Sequence, residues 1–122
     1  MALMHEDITK EIIGASFEVH RVLGYGFLEK VYQRAMQVEL IKRGLKAELE
    51  HKITVRYKGA VVGEYQADIF VEDVVMVELK VAKAYNPQDE AQLLNELKAT
   101  GVKVGLLINF GRTRVEFKRM VF

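Results

Sequence analysis

Asp68, Glu78 and Lys80 are the residues whose types and spacing suit catalysis. Asp68 closes the run Val61-Val62-Gly63-Glu64-Tyr65-Gln66-Ala67-Asp68, and Glu78-Leu79-Lys80 ends a run that begins Val74-Val75-Met76-Val77. Both runs are rich in β-branched and apolar residues and read as strands. Glu72-Asp73 between them reads as the turn of a hairpin. Side chains alternate along a strand, so Glu78 and Lys80 share one face and Val77 and Leu79 the other. Acids and an amine at the end of an apolar strand are costly to bury unless paired or bound to a metal. Two carboxylates and a lysine on adjacent strands suit a hard divalent cation and an anionic phosphodiester oxygen. An acid-x-lysine step alone is commonly an exposed face or an ion pair, so the reading depends on Asp68 joining it.

Whether Asp68 joins it is a matter of register. Residues directly opposite in an antiparallel pair point to the same side of the sheet. A two-residue loop at Glu72-Asp73 sets Val71 against Val74 and Asp68 against Val77, on the wrong face. A shared site requires an odd loop, such as Glu72-Asp73-Val74, or a β-bulge. The alternation does not choose, because both sets of side chains on the third strand are mostly apolar.

The elements that must position these residues come from a chain of 122 residues, which fits one domain over 1–122. Half the residues are hydrophobic and 29% charged, so the chain reads as globular rather than disordered. The absence of cysteine excludes a disulfide framework and a thiolate zinc site and suits a reducing compartment such as the cytoplasm. No run approaches the roughly 18 apolar residues of a membrane span, and the N-terminus has no signal-peptide core. A net charge of +1 argues against a generic polyanion binder, yet an acidic metal site offsetting a basic groove gives the same total. Cations do cluster locally, at Lys42-Arg43, at Lys80 with Lys83, and from Arg112 and Arg114 to Arg119.

Residues 6–23 read as a helix with Ile8, Ile12, Ser16, Val19 and Leu23 at helical spacing, Ile13 and Phe17 broadening the stripe, and Asp7 as N-cap. Gly24-Tyr25-Gly26 breaks it. A second helix runs from Leu28 to Arg43 and stops at Gly44, with Leu28, Val31, Tyr32, Ala35, Val38 and Ile41 as its apolar stripe. Residues 47–57 read as a strand with Leu49, His51, Ile53, Val55 and Tyr57 on one face, and Lys58-Gly59 turns it into the 61–68 strand. Asn86 as N-cap, Pro87 at the first helical position and Asp89-Glu90 in the first turn mark a third helix, stopping at Gly101. Its stripe is Leu93, Leu94 and Leu97 with Ala91, and Gln88, Gln92 and Asn95 lie on another face. Val102–Ile108 reads as a strand buried on both sides and residues 113–118 as a final edge strand. The order ααβββαββ, with a helix crossing between the third and fourth strands, gives an α/β domain with a mixed β-sheet flanked by helices.

The run Gly26-Phe27-Leu28-Glu29-Lys30-Val31-Tyr32 has the form G-x-x-E-x-x-Y. It resembles the signature of the GxxExxY proteins, a family of the PD-(D/E)XK nuclease superfamily. The resemblance continues through Tyr57-Lys58-Gly59, Ala67-Asp68, Val77-Glu78-Leu79-Lys80, Ala91-Gln92, Leu97-Lys98-Ala99-Thr100-Gly101 and Val104-Gly105-Leu106-Leu107-Ile108-Asn109-Phe110-Gly111. It implies a restriction-endonuclease-like core with Asp68 as the first-motif acid and Glu78 and Lys80 as the acid and lysine of the (D/E)XK motif. Glu29 would be the acid supplied by the core's first helix, and Gln92 the polar residue supplied by the second. The proline of the superfamily's name is Ala67 here. The implied activity is a metal-dependent nuclease, with Glu29, Asp68 and Glu78 as metal ligands and Lys80 and Gln92 as catalytic residues. The expected cofactor is Mg²⁺, or Mn²⁺, since no histidine or cysteine cluster favours zinc. The expected partners are nucleic acid, DNA ahead of RNA, and a second copy of the chain, since nucleases of this fold often cut two strands as pairs. The alternative is a non-catalytic module that keeps the fold and binds nucleic acid or a protein, or a structural subunit of a larger assembly.

Overall fold

The structure, a computed structural model, describes residues 3–122. Two helices lead, α1 (Glu6–Leu23) and α2 (Glu29–Lys42), followed by strands β1 (Ala47–Tyr57), β2 (Ala60–Val71) and β3 (Val75–Lys80). Helix α3 (Pro87–Thr100) then crosses to β4 (Val104–Phe110), and β5 (Val115–Val121) ends the chain. The five strands lie in sequence order in one sheet. β3 and β4 are parallel, as the crossover demands, and the other neighbours are antiparallel. Among the described residues no helix is long and apolar enough to cross a membrane.

The strand period sorts the core into two layers. Val75, Val77 and Leu79 of β3 and Leu106 and Ile108 of β4 pack against α1 and α2. Met76 and Leu107, one step out of phase, pack against Leu93 and Leu97 of α3. β4 is buried along its whole length, as its unbroken apolar run predicts. α3 starts as its sequence dictates, with the Asn86 side chain accepting from Gln88 N–H and Pro87 in the first turn, and ends at Gly101 in the left-handed conformation.

Several expectations are corrected. The α1 N-cap is His5, with no side-chain cap bond, rather than Asp7, and Phe17 is exposed. α2 buries Tyr32, Gln33, Met36 and Leu40, and leaves Leu28, Val31, Val38 and Ile41 exposed. Two stripes compete on this helix. The inner one prevails because Tyr32 stacks on the buried Phe110, with ring centroids 4.4 Å apart. In α3, Ala91 is exposed and Leu94 half-buried, and Glu96 joins the buried face instead. In β1, Leu49 packs with the α1/α2 core but Ile53 packs with the α3 layer. Between them Glu50 adopts φ 54, which interrupts the strand alternation. β2 extends to Val71, and β5 spans Val115–Val121 rather than 113–118.

Candidate active site

Hairpin geometry decides whether the two acids meet. Val71 pairs with Val75, Phe70 with Met76 and Ile69 with Val77, so the loop is Glu72-Asp73-Val74. Glu72 and Asp73 both take positive φ, 52 and 58. That conformation is uncommon outside glycine, and Lys46 holds it. Glu72 N–H donates to Lys46 C=O at 2.9 Å, Lys46 N–H donates to Glu72 Oε2 at 2.7 Å, and Lys46 Nζ reaches Asp73. This register sets Asp68 and Glu78 as the next opposed residues, on the same side of the sheet.

They are not joined by the sheet ladder. Pairing between β2 and β3 stops at Ile69 and Val77, while β3 stays paired with β4 through Lys80. Where the strands part, the Asp68 carboxylate substitutes for a backbone partner: Oδ2 accepts from Leu79 N–H at 2.7 Å. From α2, Gln33 Nε2 donates to the Asp68 carbonyl at 2.8 Å, fixing the backbone on the other side. Asp68 is thus positioned by both its carboxylate and its main chain.

Glu78 lies beside it, with its carboxyl in hydrogen-bonding range of Asp68. Burial first, then repulsion from Asp68 and Glu96, push the Glu78 carboxyl up to about 9, against the pull of Lys80. Glu29 stands half-buried at the start of α2, with its carboxyl raised by burial and by Asp68 and drawn down by Lys80. It therefore belongs to the same electrostatic cluster. The motif around it explains its placement. Gly26 has φ 107, a conformation open to glycine. Tyr32 Oη donates to the Gly24 carbonyl at 2.5 Å, and Phe27 packs edge-on against the Tyr32 ring. The tyrosine pins the interhelical loop and so sets where α2 and its first acid begin.

The opposite wall is α3. A narrow cleft runs between Glu78, Lys80 and Leu107 on the sheet and Asp89, Gln92, Leu93 and Glu96 on the helix. Its space open to a water-sized sphere is about 20 Å³, room for one water or ion and not for an organic cofactor. Gln92 is exposed on its outer side but lines this cleft beside Glu96, whose own carboxyl is raised by burial and by Asp68.

Sequence reasoning missed three contributors. Glu96 lies three residues beyond Leu93 and four beyond Gln92, on the inward stripe, and that spacing was the available signal. Gln33 follows Glu29 by four and lies on the Tyr32–Met36–Leu40 stripe. Asn109, opposite Lys80 in the parallel register, is buried, and its amide bonds Ala82 at both N–H (2.9 Å) and C=O (3.0 Å). It holds the loop leaving Lys80 as a backbone partner would. His20 lies outside the cluster: its Nε2 donates to the Gly111 carbonyl at 2.8 Å.

All donors at the cluster are oxygens, with no histidine or cysteine among them, which suits a hard cation. Among the described residues no three acids or histidines are already drawn around one point as a closed cage would have them. Mg²⁺ keeps several of its waters, so an open site with two or three carboxylates fits it. Carboxyls raised by burial and by one another, Glu78 and Glu96 on the cleft wall and Glu29 near Asp68, are what a divalent cation would relieve.

A family model described as the PD-(D/E)XK nuclease superfamily matches residues 6–120. Among solved structures, the chain is similar to the crystal structure of SSO0001, with TM-score 0.59 and 18% identity over 96% of this chain. It spans 59% of the length of that protein. It is also similar to an alkaline exonuclease (LHK-Exo) from Laribacter hongkongensis, with TM-score 0.53 and 14% identity over 99% of this chain and 72% of the other. These likenesses carry the fold, which is restriction-endonuclease-like. No curated protein matches the chain.

Proposed function

The chain belongs to the PD-(D/E)XK nuclease superfamily, and from that premise we propose that it is a metal-dependent phosphodiester hydrolase of the GxxExxY group. Its substrate is nucleic acid, DNA ahead of RNA, and its working form is a homodimer in the cytoplasm. Asp68 and Glu78, with Glu29, would hold Mg²⁺ or Mn²⁺, which supplies Lewis acidity toward water and a phosphoryl oxygen. Lys80, on the same strand face as Glu78, orients the attacking water and opposes the negative charge that grows on the phosphate. Gln92, which lines the cleft beside Glu96, donates a hydrogen bond to water or phosphate. Asn109 and Gln33 touch no substrate in this scheme; they hold the backbone on which Lys80 and Asp68 stand.

The observation that carries this reading is that Glu78 and Lys80 line a cleft sized for one ion with Asp68 opposite Glu78 on the same side of the sheet, and that burial, then repulsion from Asp68 and Glu96, raises the Glu78 carboxyl. The test is cleavage of plasmid DNA and of structured RNA in Mg²⁺, in Mn²⁺ and in EDTA. Cutting should require the metal and fall at least about 100-fold in Glu78→Gln and in Lys80→Ala. Binding without cutting in any divalent metal would instead make the chain a non-catalytic nucleic-acid module.

A further inference from the structure

A second cleft opens beside the acid cluster, lined by Lys83 and Tyr85 from the loop after β3 and by Arg112, Thr113, Arg114 and Glu116 around the β4–β5 turn. It lies at the carboxyl ends of two parallel strands, where ligands of open α/β sheets bind. With about 370 Å³ open to a water-sized sphere, it is far roomier than the acid cleft and takes a phosphate with its sugar.

Both walls are held in place. Asn109 clamps Ala82 at N–H and C=O, fixing the loop that carries Lys83. On the other wall, Gly111 N–H donates to the Arg114 carbonyl at 3.0 Å and its own carbonyl accepts from His20. A Cβ at Gly111 would lie 2.8 Å from the Arg114 carbonyl, so this tight turn needs glycine. The cations are poorly neutralised. Among the described residues neither Lys83 nor Arg112 makes an ion pair, and Arg114 reaches Glu116 only at 3.9 Å with its side chain 78% exposed. Three cations line the cleft with one carboxylate, Glu116, while Glu90 and Asp89 lie near Tyr85, and an exposed pair of 3.9 Å contributes little. Exposed cations on a backbone held in place, with little to neutralise them, are an anion site whose wall positions are fixed before binding.

We propose that this basic cleft binds a backbone phosphate of the nucleic-acid strand whose neighbouring phosphodiester lies at the acid cluster. The proposal rests on the nuclease reading above. The spacing agrees with it: Lys80 and Lys83 are at most about 11 Å apart along the chain. Lys80 lines the acid cleft and Lys83 this one, so residues of the two clefts are within reach of a few nucleotides of one strand at roughly 3.4 Å of rise each. Arginine forks grip phosphate oxygens bidentately, and Lys83 adds a point charge.

The experiment is fluorescence anisotropy of a labelled oligonucleotide, single-stranded and duplex, across a salt series in EDTA. The triple variant Lys83→Gln/Arg112→Gln/Arg114→Gln is compared with wild type. A charge-matched control carries Lys10→Gln/Lys42→Gln/Lys103→Gln, three exposed lysines away from the cleft. Affinity should fall at least about 10-fold in the cleft variant, and the slope of log K against log salt should become shallower by about 2. The control should keep the wild-type slope. Equal slopes in the cleft variant and wild type would overturn the cleft alone, leaving the metal-dependent cleavage assay to stand. Failure of wild type to bind any nucleic acid would overturn the cleft, and with no cleavage in Mg²⁺ or Mn²⁺ it would overturn the nuclease reading as well.

Discussion

Glu78 is a carboxyl that its surroundings keep protonated near neutral pH, and that has a measurable consequence. Burial, with Asp68 and Glu96 nearby, pushes its carboxyl from the ordinary 4.5 up to about 9 in the folded chain. Between those values the folded state holds the extra proton, so stability falls as pH rises. Glu29 and Glu96 are shifted the same way. The lowered acids Glu6, Glu18 and Glu48 exert their effect below that window. Metal-free protein should therefore lose stability from pH 5 to pH 9, by up to about 1.4 kcal/mol per pH unit for each proton that separates the states. Urea unfolding in EDTA across that range measures it. Glu78→Gln should flatten the profile, and Mg²⁺ should restore stability most at the alkaline end. A profile rising toward pH 9 in EDTA would remove the strain from this cluster. At this scale the sequence was legible where types were unusual: an aspartate, a glutamate and a lysine within largely apolar strands stand out. Glu96 and Gln33 did not, because a glutamate or glutamine on a helix is ordinary and only the choice of inward stripe distinguishes it.

The helices and the hairpin show why spacing alone fell short. α2 carries two apolar stripes, and hydropathy does not rank them. Stacking of Tyr32 on Phe110 turns the helix so that Glu29 and Gln33 point toward the opening between β2 and β3. The hairpin register was equally undetermined, since β3 is apolar on both faces. Lys46 stabilises the three-residue loop from outside the hairpin, a contact no local pattern announces. The same elements predict a particular sensitivity. Gln33→Leu keeps most of the buried volume but leaves the Asp68 carbonyl without its partner. Stability should fall by about 1–3 kcal/mol. Because Asp68 shifts with its backbone, half-saturation by Mg²⁺ in the cleavage assay should also move to higher concentration. Gln33→Leu with unchanged metal dependence would confine the residue to packing.

At the scale of the whole molecule the element order and the parallel β3–β4 pair followed from the sequence, since a helix between two apolar strands leaves little else. What the pattern did not reveal is how much apolar surface stays outside the two core layers. Phe17 of α1 and Phe117 of β5 meet edge-to-face at 6.0 Å, yet are 49% and 43% exposed. Val121 and Phe122 at the end of the chain are exposed too. β5 is an edge strand with one side of its ladder unpaired, so it offers both backbone bonds and aromatic anchors to a second copy. A standard interface removes about 800 Å² from each partner. Against a total surface of 7235 Å², that is about one ninth. The homodimer proposed above should then assemble through β5, giving light-scattering masses twice that of one chain at micromolar concentration. Phe117→Lys should yield a folded monomer, with an unchanged far-ultraviolet spectrum and a smaller hydrodynamic radius. Cutting of one strand should persist in that monomer, because every residue of the acid cluster comes from a single chain, while paired cuts on a duplex should be lost. A wild-type chain that scatters as a monomer at these concentrations would sink the dimer and leave the single-strand chemistry untouched.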